Sequence, residues 1–363
     1  MAIVVQRRDY SLLGAESKRA EEKGLASGEW HQTPIPRKTM KELMKRKDGP
    51  AIRDTLIWFI GLIVLGTLAY MSWGTWWAVP AFFLYGIFYA TPGDSRWHEC
   101  GHGTAFKTQW MNDVVYHFAC FVILRSATPW RWSHSRHHTD TIIVGRDPEI
   151  ITARPPVWKI LWMQIIHLYG GPIEIKRFIL HTFGKLEDQE KEYIPASEHY
   201  KVFREARIYM LIFLAVIAAC MFTGSILPAM FIILPTFYGF LLVLTFGVTQ
   251  HLGLYEDVLD HRLNTRTFYT NPIFRFLYWN MNYHTEHHMF PMVPFHALPK
   301  LHEEMKHDCP AARPSLGAAL KEVIGALRKQ KNDPSYVVVK PLPETAIPYR
   351  FGPNESNQLR SEA

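Results

Sequence analysis

Long uncharged stretches separated by short turns dominate the pattern of polar and apolar positions. The first two cover residues 55–72 (TLIWFIGLIVLGTLAYMS) and 78–91 (AVPAFFLYGIFYAT). At a rise of about 1.5 Å per residue, the first is long enough to cross most of a hydrocarbon core about 30 Å thick. The same arrangement recurs at residues 208–223 and 226–249. The pattern therefore predicts an all-α integral membrane protein with four transmembrane helices in two hairpins.

The charges around these runs indicate an orientation. Seven basic residues cluster between positions 37 and 53, just before the first run, whereas neither hairpin tip carries Lys or Arg, as the positive-inside rule expects. Both termini and the central segment 92–207 should then face the cytoplasm, which would place a bacterial protein in the inner membrane. Trp73, Trp76 and Trp77 would lie at the opposite interface. A buried hairpin in a soluble core is the alternative, but repeated runs of this length exceed what such a core needs.

The remaining segments are more polar. Residues 114–124 and 157–169 are too short or too mixed to span, and we expect them to form helices in the membrane interface. The first 54 residues lack the apolar core of a signal peptide. We therefore predict a cytoplasmic segment over residues 1–54, a membrane domain over 55–305 and a cytoplasmic tail over 306–363.

Composition narrows the class of protein. The 363 residues are 48% hydrophobic, so the chain is neither disordered nor fibrous, and its net charge is +7. Because the basic cluster lies beside a membrane run, anionic lipid is its expected partner and nucleic acid is not. The four cysteines form no Cys-x-x-Cys pair, which excludes a zinc ribbon and a disulfide scaffold.

Histidine clusters provide the candidate chemistry. On a helix, residues spaced i, i+3 and i+4 lie near one face, so each cluster could direct two or three imidazoles to one point. Imidazole suits iron, zinc, copper and nickel, and eight rings exceed the needs of one tetrahedral zinc. The sequence therefore predicts two metal ions. The three clusters comprise His98 and His102, then His134, His137 and His138, then His284, His287 and His288.

Two other classes of protein remain open at this point. His98, Glu99 and His102 also fit the H-E-x-x-H signature, in which two histidines bind zinc and the glutamate is the base of a metalloprotease. That interpretation leaves the other histidines without a role. A membrane metal or haem carrier is the second rival, but transporters place their ligands near the bilayer midplane, whereas these clusters lie in polar flanks.

The motifs HECGH, HSRHH and HTEHH, the last within WNMNYHTEHHMFPMVPFHALPKLHE, resemble the three histidine boxes of the membrane-bound fatty acid desaturase and hydroxylase superfamily. The resemblance covers about residues 55–305. It implies a non-haem di-iron centre of two Fe ions, in a helical cap at the cytoplasmic membrane surface, with O₂ as co-substrate. A further histidine between the second and third boxes completes the centre in that family, and His251 matches its position.

Ligand imidazoles usually donate their second ring nitrogen to a carboxylate or carbonyl. Asp147 and Glu149 resemble the family's acidic stretch after the second box. Glu99, Glu256 and Asn280 are further candidates to orient ligands, Glu256 being the expected partner of His251. For Asn280, capping of a helix is an equal alternative.

The resemblance implies oxidation of an unactivated C–H bond, with desaturation of a fatty acyl chain as the expected reaction. Hydroxylation or oxidative demethylation by the same centre is the alternative. Because no haem, flavin or dinucleotide motif is visible, a separate ferredoxin or cytochrome should supply electrons. A basic surface including Arg53, Arg131, Arg136 and Lys300 would suit an acidic carrier. The substrate is expected to lie near aromatic residues that also serve helix packing: Phe82, Phe83, Tyr85, Phe88, Tyr238 and Phe240.

Overall fold

The computed structural model describes residues 8–352, and this part of the chain is helical, with no β-strand and two isolated bridges. The helices of the first half are α1 (Ala15–Glu22), α2 (Arg37–Leu43), α3 (Asp48–Met71), α4 (Ala78–Gly101), α5 (Gln109–Val122), α6 (Ala127–Thr139), α7 (Trp158–Gln164), α8 (Gly170–Thr182) and α9 (Asp188–Lys191). After a 3₁₀ turn at Ala196–Glu198, the remaining helices are α10 (His199–Thr223), α11 (Leu227–Ile232), α12 (Pro235–Tyr238), α13 (Leu241–His251), α14 (His261–Asn264), α15 (Pro272–Leu277), α16 (His284–Met289), α17 (Leu298–Met305) and α18 (Leu316–Gln330).

The first predicted hairpin is formed by α3 and α4, which pack against each other. The turn between them includes Gly74, whose φ of +82° favours a residue without a side chain. Helix α4 continues ten residues beyond the apolar run and ends at Gly101. The same helix therefore carries both apolar residues and the first histidine box.

In the part of the chain that the structure describes, two helical stretches are long and apolar enough to cross a membrane, and they lie within Arg37–Met71 and Ala196–Thr223. Only 22% and 17% of their most apolar windows are buried inside the protein. Large apolar side chains point outward along both, including Ile63 at 69% exposed and Phe222 at 93%. A buried core helix would hide such side chains, so their exposure fits contact with lipid.

The prediction of one continuous fourth span is wrong. Residues 226–249 form the short helices α11 and α12 and most of α13. Pro228 and Pro235 each lie in the first turn of a short helix, where the backbone N–H that proline lacks would have no partner within the helix. The same ring prevents a helix that begins earlier from continuing through it. At the next break, Gly239 meets α4 so closely that a Cβ there would lie 2.0 Å from the carbonyl carbon of Gly86.

The two shorter ambiguous stretches are partly helical. Residues 114–124 fall largely within α5, which begins five residues earlier, at Gln109. In the stretch 157–169 only α7 is helical, since the chain turns at His167, where φ is 54°.

The polar segments at both ends pack over the region that bears the histidines. Trp30 stacks on His261 with ring centroids 4.2 Å apart and planes 8° apart. Arg262 is fully buried and donates to Asp308 and to the carbonyl of Ile347. The described parts of the N-terminal segment and the tail thus help to enclose the histidine boxes.

Candidate metal centre

Four helices bring the nine histidines together. His98 lies in the last turn of α4, and His102 is the residue that caps this helix. Helix α6, with Pro129 in its first turn, carries the second box near its end. Helix α13 ends at His251. Before α16, the positive φ angles of Trp279 and Asn280 reverse the chain and direct the third box toward the other three helices.

The ring nitrogens form two groups, within each of which the nitrogens all lie within 4.8 Å of one another. The first group contains His98, His102, His134, His138 and His287. The second group contains His137, His251, His284 and His288. The two groups adjoin, since the rings of His138 and His288 are stacked at 4.3 Å.

The expectation that each box directs its imidazoles to a single point is wrong for the second and third boxes. His134 and His138 belong to the first group, whereas His137 belongs to the second. In the third box the division is reversed, because His284 and His288 lie in the second group and His287 in the first. With about 100° of rotation per residue, positions i and i+4 lie close around the helix axis, and i+3 lies on the other side of i. Each box therefore serves both groups.

Acceptors fix the Nδ1 atoms of four rings. His134 Nδ1 lies 3.1 Å from a carboxylate oxygen of Glu149, and His137 Nδ1 lies 2.8 Å from Asp147. His251 Nδ1 lies 2.8 Å from the carbonyl oxygen of Asn264.

The fourth ring is held by a hydroxyl. Thr141 donates its hydroxyl hydrogen to the carbonyl of His137, at 2.7 Å. Its Oγ1 lies 3.2 Å from His288 Nδ1, so it must accept from that nitrogen. The Nδ1 atom of His288 is therefore a donor, like those of the other three rings.

A neutral imidazole whose Nδ1 is a donor has a bare lone pair on Nε2. In the second group the bare Nε2 atoms of His251 and His288 each lie 3.0 Å from His284 Nε2, which has at most one hydrogen to donate. In the first group His134 Nε2 lies 3.1–3.2 Å from the Nε2 atoms of His98, His102 and His138. Lone pairs that converge so closely need a cation between them.

The environment favours neutral ligands. Burial lowers the pKa of His102 to about 4 and holds the pKa values of His134 and His138 well below the ordinary histidine value. Burial also raises the pKa of Glu149 to about 7. His137 differs, because burial lowers its pKa but the charge and hydrogen bond of Asp147, together with the charge of Glu149, outweigh burial and raise it.

Glu99 lies beside the first group without joining it. Its Oε2 accepts from Thr104 Oγ1 at 3.0 Å and from the backbone N–H of Phe295 at 3.2 Å. Its Oε1 is 3.6 Å from His287 Nδ1, longer than a hydrogen bond. The carboxyl group is fully buried and anchors the loop that follows the third box.

Two predicted orienting residues lie elsewhere. Glu256 accepts from Tyr10 and pairs with Arg154, because the turn after His251 carries it away from the ring. Asn280 accepts from Arg275 and donates to the carbonyl of Phe295, so it serves a turn rather than a ligand. The prediction was wrong for both residues.

A cavity of about 150 Å³ reaches both groups, and because it does so we call it the main cavity. Its histidine wall consists of His98, His134, His137, His251 and His284. The rest of its wall combines apolar and polar side chains: Trp97, Trp130, Ile151, Phe240, Val243 and Leu244, with Asp94, Arg125, Glu149, Gln164 and Gln250. Phe240 is the one member of the predicted aromatic set that lines this cavity, while Tyr85 and Tyr238 bond to carbonyls of neighbouring helices.

A second opening of about 350 Å³ reaches the first group from another side. Its wall includes His102, His134 and His138 together with Arg131 and Trp132. The two openings therefore give separate access to the same cluster of rings.

Sequence reasoning missed three contributors to the centre. The carbonyl of Asn264 is a backbone group and carries no signal in the sequence. Thr141 follows His137 by four positions, the spacing at which a threonine can bond the preceding turn, and this was the one available hint. Arg125 lines the main cavity although no motif marks it.

A family model and the curated relatives both relate this chain to enzymes that act on fatty acids. The family model for fatty acid desaturases matches residues 74–318. The Delta(12) fatty acid desaturase of Calendula officinalis is 26% identical over 205 residues, which cover 53% of this chain and 47% of that relative. The Delta(12) fatty acid dehydrogenase of Crepis alpina is 25% identical over 158 residues, covering 41% of this chain and 40% of the relative. The chain thus matches less than half the length of these curated relatives.

Proposed function

The chain belongs to the fatty acid desaturase family, and from this premise we propose that it desaturates a fatty acyl chain with a non-haem di-iron centre and O₂. The observation that carries the proposal is the convergence of Nε2 atoms in two adjoining groups, where His134 in the first group and His251 and His288 in the second present bare lone pairs to their neighbours. The five imidazoles of the first group exceed the four ligands of structural zinc, which is almost always tetrahedral, and the four of the second group equal that number. Two iron ions suit this donor set.

The first group would hold one iron and the second group the other. Such a centre supplies the chemistry that activates O₂ toward an unactivated C–H bond. The protein's own part is to hold the rings and to place the substrate. Asp147, Glu149 and Thr141 fix ring orientation through Nδ1 and would so keep the Nε2 atoms of these rings directed at an ion held in each group.

The main cavity would hold the substrate. Five histidines form one wall, and Phe240, Val243 and Leu244 form an apolar wall beside them. An alkyl segment packed against these side chains would be kept from water and held near the centre. Loss of hydrogen from two adjacent carbons gives an alkene, and addition of oxygen gives an alcohol.

Membrane placement follows from the two candidate spans. We propose that α3 and α10 cross the bilayer, and that α4 and the α11–α13 segment complete the membrane domain within residues 55–305. Both termini and the centre would face the cytoplasm, with residues 1–54 and 306–363 as flanking cytoplasmic segments. The basic residues that precede α3 would then contact anionic headgroups.

An external one-electron carrier, a ferredoxin or cytochrome, would supply reducing equivalents. The second opening suits its approach, because it exposes His102 and His138 beside Arg131. Arg131 is 44% exposed and Asp113, its carboxylate partner within residues 8–352, is 48% exposed, so this charge remains available to an acidic carrier.

The rival protease interpretation is disfavoured by Glu99. A protease base must reach a metal-bound water, but Glu99 bonds to Thr104 and to the Phe295 backbone and lines neither opening to the centre. The carboxylate in the H-E-x-x-H match is thus placed for anchoring rather than for proton transfer.

The test is expression of the full chain with a ferredoxin and its reductase, followed by mass spectrometry of cellular lipids. The proposal predicts acyl chains that have lost two hydrogens, and no such product from the His287→Ala variant. Acyl chains that have gained one oxygen would show that the reaction is hydroxylation and not desaturation. Unchanged lipids from iron-loaded protein with a working donor would contradict the proposal.

A further inference from the structure

One arginine in the wall of the main cavity has no hydrogen-bond partner for its side chain. Across residues 8–352, the guanidinium of Arg125 makes no hydrogen bond to protein, and the nearest carboxylate oxygen, on Asp94, is 3.6 Å away. That Asp94 oxygen already accepts from Trp97 Nε1 at 3.0 Å. An arginine is always charged and carries five N–H donors, so this side chain has unused capacity to bind an acceptor.

The other polar residues of the wall are committed to protein partners. Glu149 accepts from Ser133 and pairs with His134. Gln164 contacts His167 with its nitrogen and accepts a backbone N–H with its oxygen, and the amide nitrogen of Gln250 donates to Tyr278. Arg125 is therefore the cation of the wall: Asp94 faces its charge at 3.6 Å, but its guanidinium N–H groups make no hydrogen bond within residues 8–352.

Two tryptophans hold the guanidinium in place. Its carbon lies 3.7 Å from the ring centroid of Trp130 and 4.6 Å from that of Trp97. Stacking of this kind is attractive and limits the rotamers of a long side chain, so less entropy is lost when a ligand binds. The planar fork matches the two oxygens of a carboxylate.

The guanidinium is also close to the centre. The ring of Trp97 lies 5.0 Å from the ring of His134 and 5.4 Å from that of His98. A single indole thus separates Arg125 from two candidate ligands. The cavity lined by Arg125 and by both histidine groups is small, about 150 Å³, so only a few carbons can lie between the guanidinium and these rings.

We propose that Arg125 binds a carboxyl oxygen of the substrate, and that the oxidised carbon lies only a few carbons from that carboxyl group. The oxygen belongs to a carboxylate or to the carbonyl of an ester. This inference rests on the proposed function, because it assigns the cavity to the substrate. It names the polar end group of the substrate, which the apolar wall alone does not define.

The test uses the full chain in detergent, loaded with Co²⁺, whose visible absorption responds to molecules that approach the metal. The probes are octanoate, methyl octanoate and nonane. Octanoate should perturb the spectrum at lower concentration than nonane, and Arg125→Gln should raise its apparent Kd about tenfold or more. Methyl octanoate distinguishes the two sources, since tight binding of the ester would show that a neutral carbonyl suffices.

Two further variants sharpen the result. Arg125→Lys keeps the charge and loses the planar fork, so it should weaken octanoate binding by an intermediate factor. Arg131→Gln is the matched control, because Arg131 also stacks on an aromatic ring, Tyr116 at 4.5 Å, but lines the other opening. Its Kd for octanoate should equal that of the unaltered chain.

The failures are distinguishable. Absence of a cobalt spectrum from folded protein would contradict the metal centre itself. A normal spectrum with equal octanoate affinity in the unaltered chain and Arg125→Gln would overturn the role of Arg125 and leave the centre intact. So would nonane binding as tightly as octanoate.

Discussion

His137 and His138 are neighbours in the chain, yet their ring nitrogens belong to different groups of the centre. Successive residues on a helix point about 100° apart, so one turn of α6 serves both sides. His138 joins His98, His102, His134 and His287, and His137 joins the rest. The two proposed ions are therefore coupled through a single helix.

This relationship predicts different metal losses from adjacent substitutions. His138→Ala should weaken the ion of the first group and His137→Ala that of the second, each abolishing turnover while the other ion is retained. Metal analysis combined with Mössbauer spectra would separate the two sites. His307→Ala, at an exposed histidine, is the control and should keep both ions. Equal loss of both ions in both variants would argue against separate groups.

Asp147→Asn should lower metal affinity by about tenfold to a hundredfold, because it removes the carboxylate that orients His137. The matched control is Glu256→Gln, at an acidic residue that lies near His251 in sequence but pairs with Arg154. Competition with a chelator measures the affinity of each protein. The prediction fails if the two variants lose metal equally.

Glu99→Gln should keep both ions and reduce turnover only moderately. The amide can still accept from Thr104 and Phe295, and no proton transfer depends on this group in the proposed reaction. In a zinc protease the same change would remove the general base and eliminate activity with zinc still bound. Complete inactivity of a zinc-loaded variant would favour the protease.

The buried Lys340 should make the stability of the folded chain depend on pH. Burial, with a contribution from Arg266, lowers the pKa of this lysine to about 7. An unfolded chain would keep the ordinary pKa of about 10.4, so between the two values the unfolded state binds more protons. Stability should therefore rise with pH across that interval.

Thermal unfolding of the full chain measures this effect. Lys340→Met should be more stable than the unaltered chain at about pH 7. This advantage should shrink toward about pH 10, because the lysine of the unfolded chain also begins to lose its proton there and burying the neutral amine then costs less free energy. A difference that does not change with pH would show that Lys340 remains charged when buried.

Periodicity and motif spacing predicted the helical class, the hairpin of α3 and α4, and eight of the histidines that the structure brings together, whereas His251 was implied by the resemblance to the family. The same resemblance indicated Asp147 and Glu149 as neighbours of the rings, and a short loop after α6 keeps these residues close to them. Local signals sufficed wherever the partners lie close in sequence.

The remaining errors concern tertiary geometry. The fourth apolar run looked continuous, but Pro228, Pro235 and the contact of Gly239 with Gly86 divide it. The partner of His251 is the backbone carbonyl of Asn264, and such a contact cannot be predicted from the type of residue that supplies it. Arg125 enters the cavity only because Trp97 and Trp130, from two different helices, hold its side chain.

The most direct test of the account is a crystal structure of the iron-loaded protein with anomalous scattering recorded at the iron edge. The account predicts two peaks per chain, one in each histidine group, with Nε2 atoms at about 2.0–2.3 Å by analogy with imidazole bonds to zinc. His251 should then bind the ion of the second group. A single peak held by His98 and His102, or a His251 ring directed away from both ions, would contradict it.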